Sequence, residues 1–268
     1  MALIMIPLTK AHAYGNDFLY VEEQHLPAGR DRAALARALC ERCTGIGADG
    51  LIVYRRAASG AAMQLLNADG SYSEVSGNGV RALGAVLLAG EEDVDRTSLV
   101  VGTDAGEKRL QLLRRDGTRL TFRAAMGHPE AIARRTLDVG GEALPVVTLR
   151  VGNPQCVAVE PSLDLARMHR LGALLEHHEA FPEGTNVEFA TVESPSRVRI
   201  LIWERGVGPT LASGTGACAS AVAAAAYGGA SRDVEVVSPG GTQRVEWTDA
   251  GLFLTGWAEV LCRGTWLA

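Results

Sequence analysis

Short apolar runs, several of them alternating with polar residues, recur along most of the chain and predict strands. They fall at 3–8, 18–22, 51–54, 99–103, 108–114, 119–123, 145–151, 156–160, 187–191, 197–203, 234–237, 243–247 and 253–261. The clearest is RVRILIW, where Val198, Ile200 and Ile202 share one face. Helical spacing is rarer and predicts helices over 31–43, 80–89, 163–177 and 217–227. Two of these lack a polar face: VRALGAVLLA is apolar nearly all round, and ACASAVAAAAY is small and apolar all round. A helix of that kind is normally buried. Two buried helices among many strands predict an α+β fold of two β-layered lobes, each wrapped around its own central helix.

The chain also repeats itself. Ser76-Gly77-Asn78-Gly79 opens the first buried helix and Ser213-Gly214-Thr215-Gly216 opens the second, an offset of 137 residues. At that offset Gly15-Asn16 falls on Gly152-Asn153, Gly47-Ala48-Asp49 on Gly184-Thr185-Asn186, and Asn67 on Glu204. Blocks in one register predict two pseudo-symmetric halves.

Each S-G-x-G segment places glycines and unpaired backbone N–H groups at a helix N-terminus, which favours an anion such as a carboxylate. A side chain from each motif, set on opposite faces of one carbon, could remove a proton and return it with inversion. The plainer reading is that Ser76 and Ser213 cap their helices. The polar residues such a site would need lie in glycine-bounded loops: Asn16, Asn67, Asn153 and Asn186, with Glu204-Arg205 ending the RVRILIW strand.

Composition narrows the function classes. A net charge of −5 over 268 residues, with no Lys/Arg-rich run of five or more, gives no footprint for nucleic acid. The apolar N-terminal stretch is too short for a secretory signal, and nothing later approaches a membrane span. Five cysteines, an odd number, fit a reducing, cytoplasmic compartment. Cys40 and Cys43 lie inside a helical pattern, so packing is expected of them rather than metal binding. His12 and the His177-His178 pair show no partner ligands, and no metal site is expected.

The blocks KAHAYGNDF, GIGADG, NADGS, EVSGNGVR, GNPQCV, GTNVEF and ERGVGPTLASGTGACA closely resemble the diaminopimelate epimerase family over nearly the whole chain. The resemblance implies two lobes, each a β-barrel around a central helix. It places the first lobe at 1–124, completed by about 257–268, and the second at 125–256. It also implies interconversion of LL- and meso-diaminopimelate, on the route to lysine and cell-wall precursors, without any cofactor and with a possible homodimer. Matched residue by residue, Asn67, Asn153, Asn186, Glu204 and Arg205 would grip the distal end of the small-molecule substrate, and Asn16 would contact it too. Gly77-Asn78 and Gly214-Thr215 would hold the carboxylate.

The departures lie at the chemistry. Ser76 and Ser213 stand where the family carries its two catalytic cysteines, and Gln155 stands where it usually has histidine. A hydroxyl is a far weaker acid than a thiol and needs a strong neighbouring base. Glu204 or a water is the candidate for that base relay. The alternatives left open are a divergent isomerase or lyase acting on another amino acid, and a catalytically silent amino-acid-binding protein.

Overall fold

The computed structural model describes residues 5–89 and 97–267; the first two positions of the strand expected at 3–8 lie outside them. The chain divides into two compact units, Met1–Ala124 with Trp257–Ala268, and Ala125–Gly256.

In the first unit β1 (Met5–Ala13), β2 (Asn16–Glu22), β3 (Gly50–Ala57), β4 (Gly60–Asn67), β6 (Ser98–Thr103), β7 (Gly106–Asp116), β8 (Arg119–Gly127) and the end of β17 (Gly251–Leu267) pair in that order. β17 then pairs back onto β1, closing an eight-stranded barrel. A two-residue β5 (Tyr72–Ser73) adds to β4. α1 (Arg32–Cys40) covers an apolar cluster outside the barrel that includes Leu19, Val21, Leu35, Leu39, Leu51 and Val53. α2 (Gly77–Leu88) is buried along its whole length and packs on β1, β2, β6 and β7. The crowding is tight. A Cβ on Gly84 would lie 2.7 Å from Leu110 Cδ1 and 3.3 Å from the Phe122 ring, so a larger residue there would have to displace Leu110.

The second unit repeats the scheme. β9 (Glu130–Val139), β10 (Glu142–Arg150), β11 (Pro154–Val159), β12 (Asn186–Ser194), β13 (Arg197–Glu204), β15 (Asp233–Ser238), β16 (Gly241–Thr248) and the start of β17 pair in order. β14 (Gly208–Thr210) adds to β13 as β5 adds to β4. α3 (Leu165–Glu176) covers a cluster holding Cys156, Ala158, Val187 and Phe189. α4 (Gly214–Ala223) is the buried central helix and runs into one π turn at Ala224–Gly228.

All four predicted helices are present, and four strands were not anticipated: β4, β5, β9 and β14. The repeat register also needs one correction. β11 matches β2 at an offset of 137, because Cys156 and Ala158 face α3 as Leu19 and Val21 face α1. β12 matches β3 at 136: Val187 and Phe189 take the places of Leu51 and Val53. Gln155 pairs with Asn186 as Phe18 pairs with Gly50. Asn186 therefore corresponds to Gly50, not to Asp49, and the loop ahead of β12 is one residue shorter.

Candidate active site

In the first unit the site residues gather where β2 and β3 begin and β4 ends. β1 and β2 are joined through Tyr14-Gly15, both at positive φ (56° and 90°), as a tight two-residue hairpin requires. Tyr14 tolerates this because its ring stacks on Trp257 at 4.4 Å and its hydroxyl accepts from the Trp257 N–H. The turn delivers Asn16 to the first position of β2. Its amide donates to Asp49 Oδ2 at 2.8 Å, and its carbonyl oxygen accepts from Asn78 Nδ2 at 3.2 Å. Asn78 in turn accepts from the fully buried Arg81. Asp49 also takes Arg42 at 2.8 Å, while Asp17 takes Lys10 at 2.8 Å. Asn16 and Asn78 are thus joined directly. Asn67, the last residue of β4, pairs with Gly50 beside Asp49, and its amide donates to Ser71 Oγ at 3.0 Å.

In the second unit Asn186 organises the polar residues. Its amide donates to the Pro154 carbonyl and its oxygen accepts from the Arg205 N–H, both at 3.1 Å. Arg205 Nη1 donates to the Glu183 carbonyl, and Glu204 Oε1 accepts from Thr210 Oγ1 at 3.2 Å. Glu176, buried at the end of α3, accepts from Trp203 Nε1 and from the Gly206 N–H, each at 2.7 Å. It pins the Glu204-Arg205 turn from both sides. Nothing in the sequence pattern pointed to Glu176, since a glutamate closing a helix reads as solvated surface.

The two serines sit alike. Ser76 Oγ accepts from the Gly79 N–H at 3.1 Å and Ser213 Oγ from the Gly216 N–H at 3.2 Å, so each caps its buried helix. Gly77 and Gly214 open the helices, with their backbones buried. Beyond this their surroundings diverge. Beside Ser213 lie Thr215 (Oγ to Oγ1 3.5 Å), Gln155 and Glu188, the last three all buried. With its nitrogen toward the acid, the Gln155 amide donates to both Glu188 oxygens at 3.1 and 3.2 Å. Its oxygen then accepts from Thr215 Oγ1 at 3.2 Å and Asn186 Nδ2 at 3.3 Å. Burial, and then the Glu204 charge, push the Glu188 carboxyl well above the usual carboxylate range. Glu188 was not singled out from the sequence.

The three buried thiols offer no replacement for the family's cysteines. Cys156 is buried and its thiol is raised by desolvation first and by Glu188 second. Cys40, also buried, is pushed up to about 12 by desolvation, helped by Asp17 and Asp49. Cys218 is fully enclosed within α4.

The family model described as diaminopimelate epimerase matches residues 8–132 and 147–261. The chain belongs to the diaminopimelate epimerase family. It is 42% identical to a diaminopimelate epimerase of Desulforudis audaxviator, with 97% of this chain and 98% of that one covered. It is 38% identical to one of Desulfitobacterium hafniense over the same shares. Among solved structures it resembles a protein from Pseudomonas aeruginosa described as a predicted epimerase, with a TM-score of 0.76, 16% identity, and 98% and 99% of the two chains covered. A hydroxyproline epimerase from Agrobacterium vitis gives 0.73 at 17% identity, covering 100% of this chain and 92% of that one. At such identities these two likenesses speak for the fold alone. Among the described residues no helix is long and apolar enough to cross a membrane.

Proposed function

We propose that the protein is an amino-acid epimerase of the diaminopimelate type, interconverting LL- and meso-diaminopimelate without a cofactor. The observation that carries this reading is the polar set Asn153, Asn186, Glu204 and Arg205. Asn186 and Glu176 hold the Glu204-Arg205 turn in one arrangement, and with Asn153, next to the Pro154 whose carbonyl Asn186 binds, these residues match the set that the family resemblance assigns to the distal amino-acid end. Arg205 suits a distal carboxylate and Glu204 a distal ammonium. The N-termini of α2 and α4, opened by Gly77-Asn78 and Gly214-Thr215, suit the carboxylate at the reacting carbon and the charge that develops as its proton leaves. Inversion needs an acid and a base on opposite faces, and Ser76 and Ser213 are the matched candidates, with Glu204 as the assisting base. Five free cysteines suit a cytoplasmic protein, and the family resemblance adds a homodimer as the expected assembly.

A second reading, an amino-acid-binding protein without turnover, is favoured by one observation: both serine hydroxyls are already engaged as helix caps. Incubating the protein with LL-diaminopimelate in deuterium oxide separates the two. Deuterium at the α-carbon together with meso product is expected for the epimerase. Tight binding by calorimetry with no deuterium incorporated would establish the binding protein instead.

A further inference from the structure

The two halves share a backbone plan but not the groups behind their serines. On α4 a Cβ added at Gly216 would lie 3.0 Å from the carboxyl carbon of Glu188 and 3.1 Å from Ser213 Cβ. Acid and serine therefore crowd one point at the head of the helix. On α2 the same construction at Gly79 meets Ile52 Cδ1 at 2.8 Å and Ser76 Cβ at 3.3 Å. Strand pairing identifies the counterparts: Tyr20 pairs with Ile52 as Val157 pairs with Glu188, and Phe18 takes the place of Gln155. Thr215 replaces Asn78 on the helix itself.

The duplicated scaffold thus places an acid and an amide behind Ser213, and isoleucine and phenylalanine at the corresponding positions behind Ser76. The polar chain has a direction. With the Gln155 N–H groups turned to Glu188, its oxygen accepts from Thr215 and Asn186, and in that orientation the Thr215 hydroxyl proton points to Gln155. The Thr215 oxygen is left to accept from Ser213. An amide cannot pass a proton on by titrating, so the chain orients and polarises instead of relaying.

We propose that Glu188 is a positioning residue for Ser213, acting through Gln155 and Thr215, and that it makes the Ser213 half of the site chemically distinct from the Ser76 half. The titratable groups around it are Glu204, which shares the sheet, and the buried thiol of Cys156. For its bearing on proton transfer the inference rests on the epimerase reading; for the linkage itself it does not.

The test uses a reporter thiol at each serine. In S213C the introduced thiol and the Glu188 carboxyl cannot both ionise cheaply, so the thiol titrates high or in two steps. Adding E188Q removes that competitor. The midpoint should fall by about one unit or more, giving roughly tenfold more thiolate at neutral pH. E188D keeps the acid and should titrate like S213C alone. S76C should titrate the same with and without E188Q. Alkylation by iodoacetamide against pH, read peptide by peptide by mass spectrometry, keeps the exposed Cys43 and Cys262 out of the signal. Should E188Q fail to fold, S213C with Gln155→Leu removes both donors from the acid, favours its neutral form, and should move the thiol the same way. An S213C titration indifferent to Glu188, or an equal shift in S76C, overturns the proposal. Neither readout involves diaminopimelate, so a failure of the epimerase reading would show separately, as absent binding or exchange with these titrations intact.

Discussion

Arg205 shows how much a single residue can depend on its setting. Its backbone N–H is held by Asn186, the turn after it by Glu176, and its guanidinium reaches the Glu183 carbonyl. If it grips a distal carboxylate, Arg205→Ala should lose roughly 1.5–3 kcal/mol of diaminopimelate affinity, the range for hydrogen bonds to charged groups. Calorimetry decides this, and unchanged affinity removes Arg205 from the site. Asn186 and Arg205 were legible because they stand in glycine-bounded motifs at fixed spacing. Glu188 and Glu176 were not. What makes them matter is contact with Gly216, Gln155 and Trp203, partners distant in sequence, and a lone glutamate in a strand or at a helix end carries no local mark of burial.

Among the elements, the buried helices were the most legible, because a segment with no polar face has one physical solution. Their caps are equally plain: serine before glycine-rich first turns, with Oγ on the third N–H. Ser76→Ala and Ser213→Ala should each cost about 0.5–2 kcal/mol of stability in urea unfolding, and the corresponding glycine variants only a few tenths. Equal stability for serine and alanine would mean that the capping bond contributes nothing. The strands missed from the sequence have identifiable causes. β4, GAAMQLLN, is built largely from helix formers and is held extended by β3 on one side and β6 on the other. β9, EAIARRTLDV, mixes charges onto both faces and so loses the period of two. β5 and β14 are too short to show any period. The one-residue slip on β12 was hidden because flanking glycines, Gly47 and Gly184, keep the offset of 137 and both adopt positive φ.

For the molecule as a whole, the question is whether a fold retained this fully still supports the family's chemistry with serines in place. The scaffold keeps both buried helices, both glycine-opened N-termini and the clamped Glu204-Arg205 turn, so the departures from the family's chemistry are the two serine oxygens and Gln155. Ser76→Cys together with Ser213→Cys should therefore raise α-proton exchange of diaminopimelate by orders of magnitude. The thiol at position 76 would sit at a helix N-terminus with no acid behind it, which lowers its pKa and makes thiolate available near neutral pH, while the thiol at 213, held up by Glu188, would supply the acid. Positioned acid and base groups contribute about 10²–10⁴-fold each, so even a partial effect would stand above a weak background. Single replacements should do less, because inversion needs a donor on the face opposite the base, and Gln155→His on top should help by adding a group that titrates. The gain comes with a loss: sulfur is a weak acceptor, so both caps weaken and the double variant should unfold at lower urea than the parent. A double-cysteine protein that folds, binds diaminopimelate and exchanges no proton faster than the parent would show that the site has changed beyond these two side chains. The binding-protein reading would then hold.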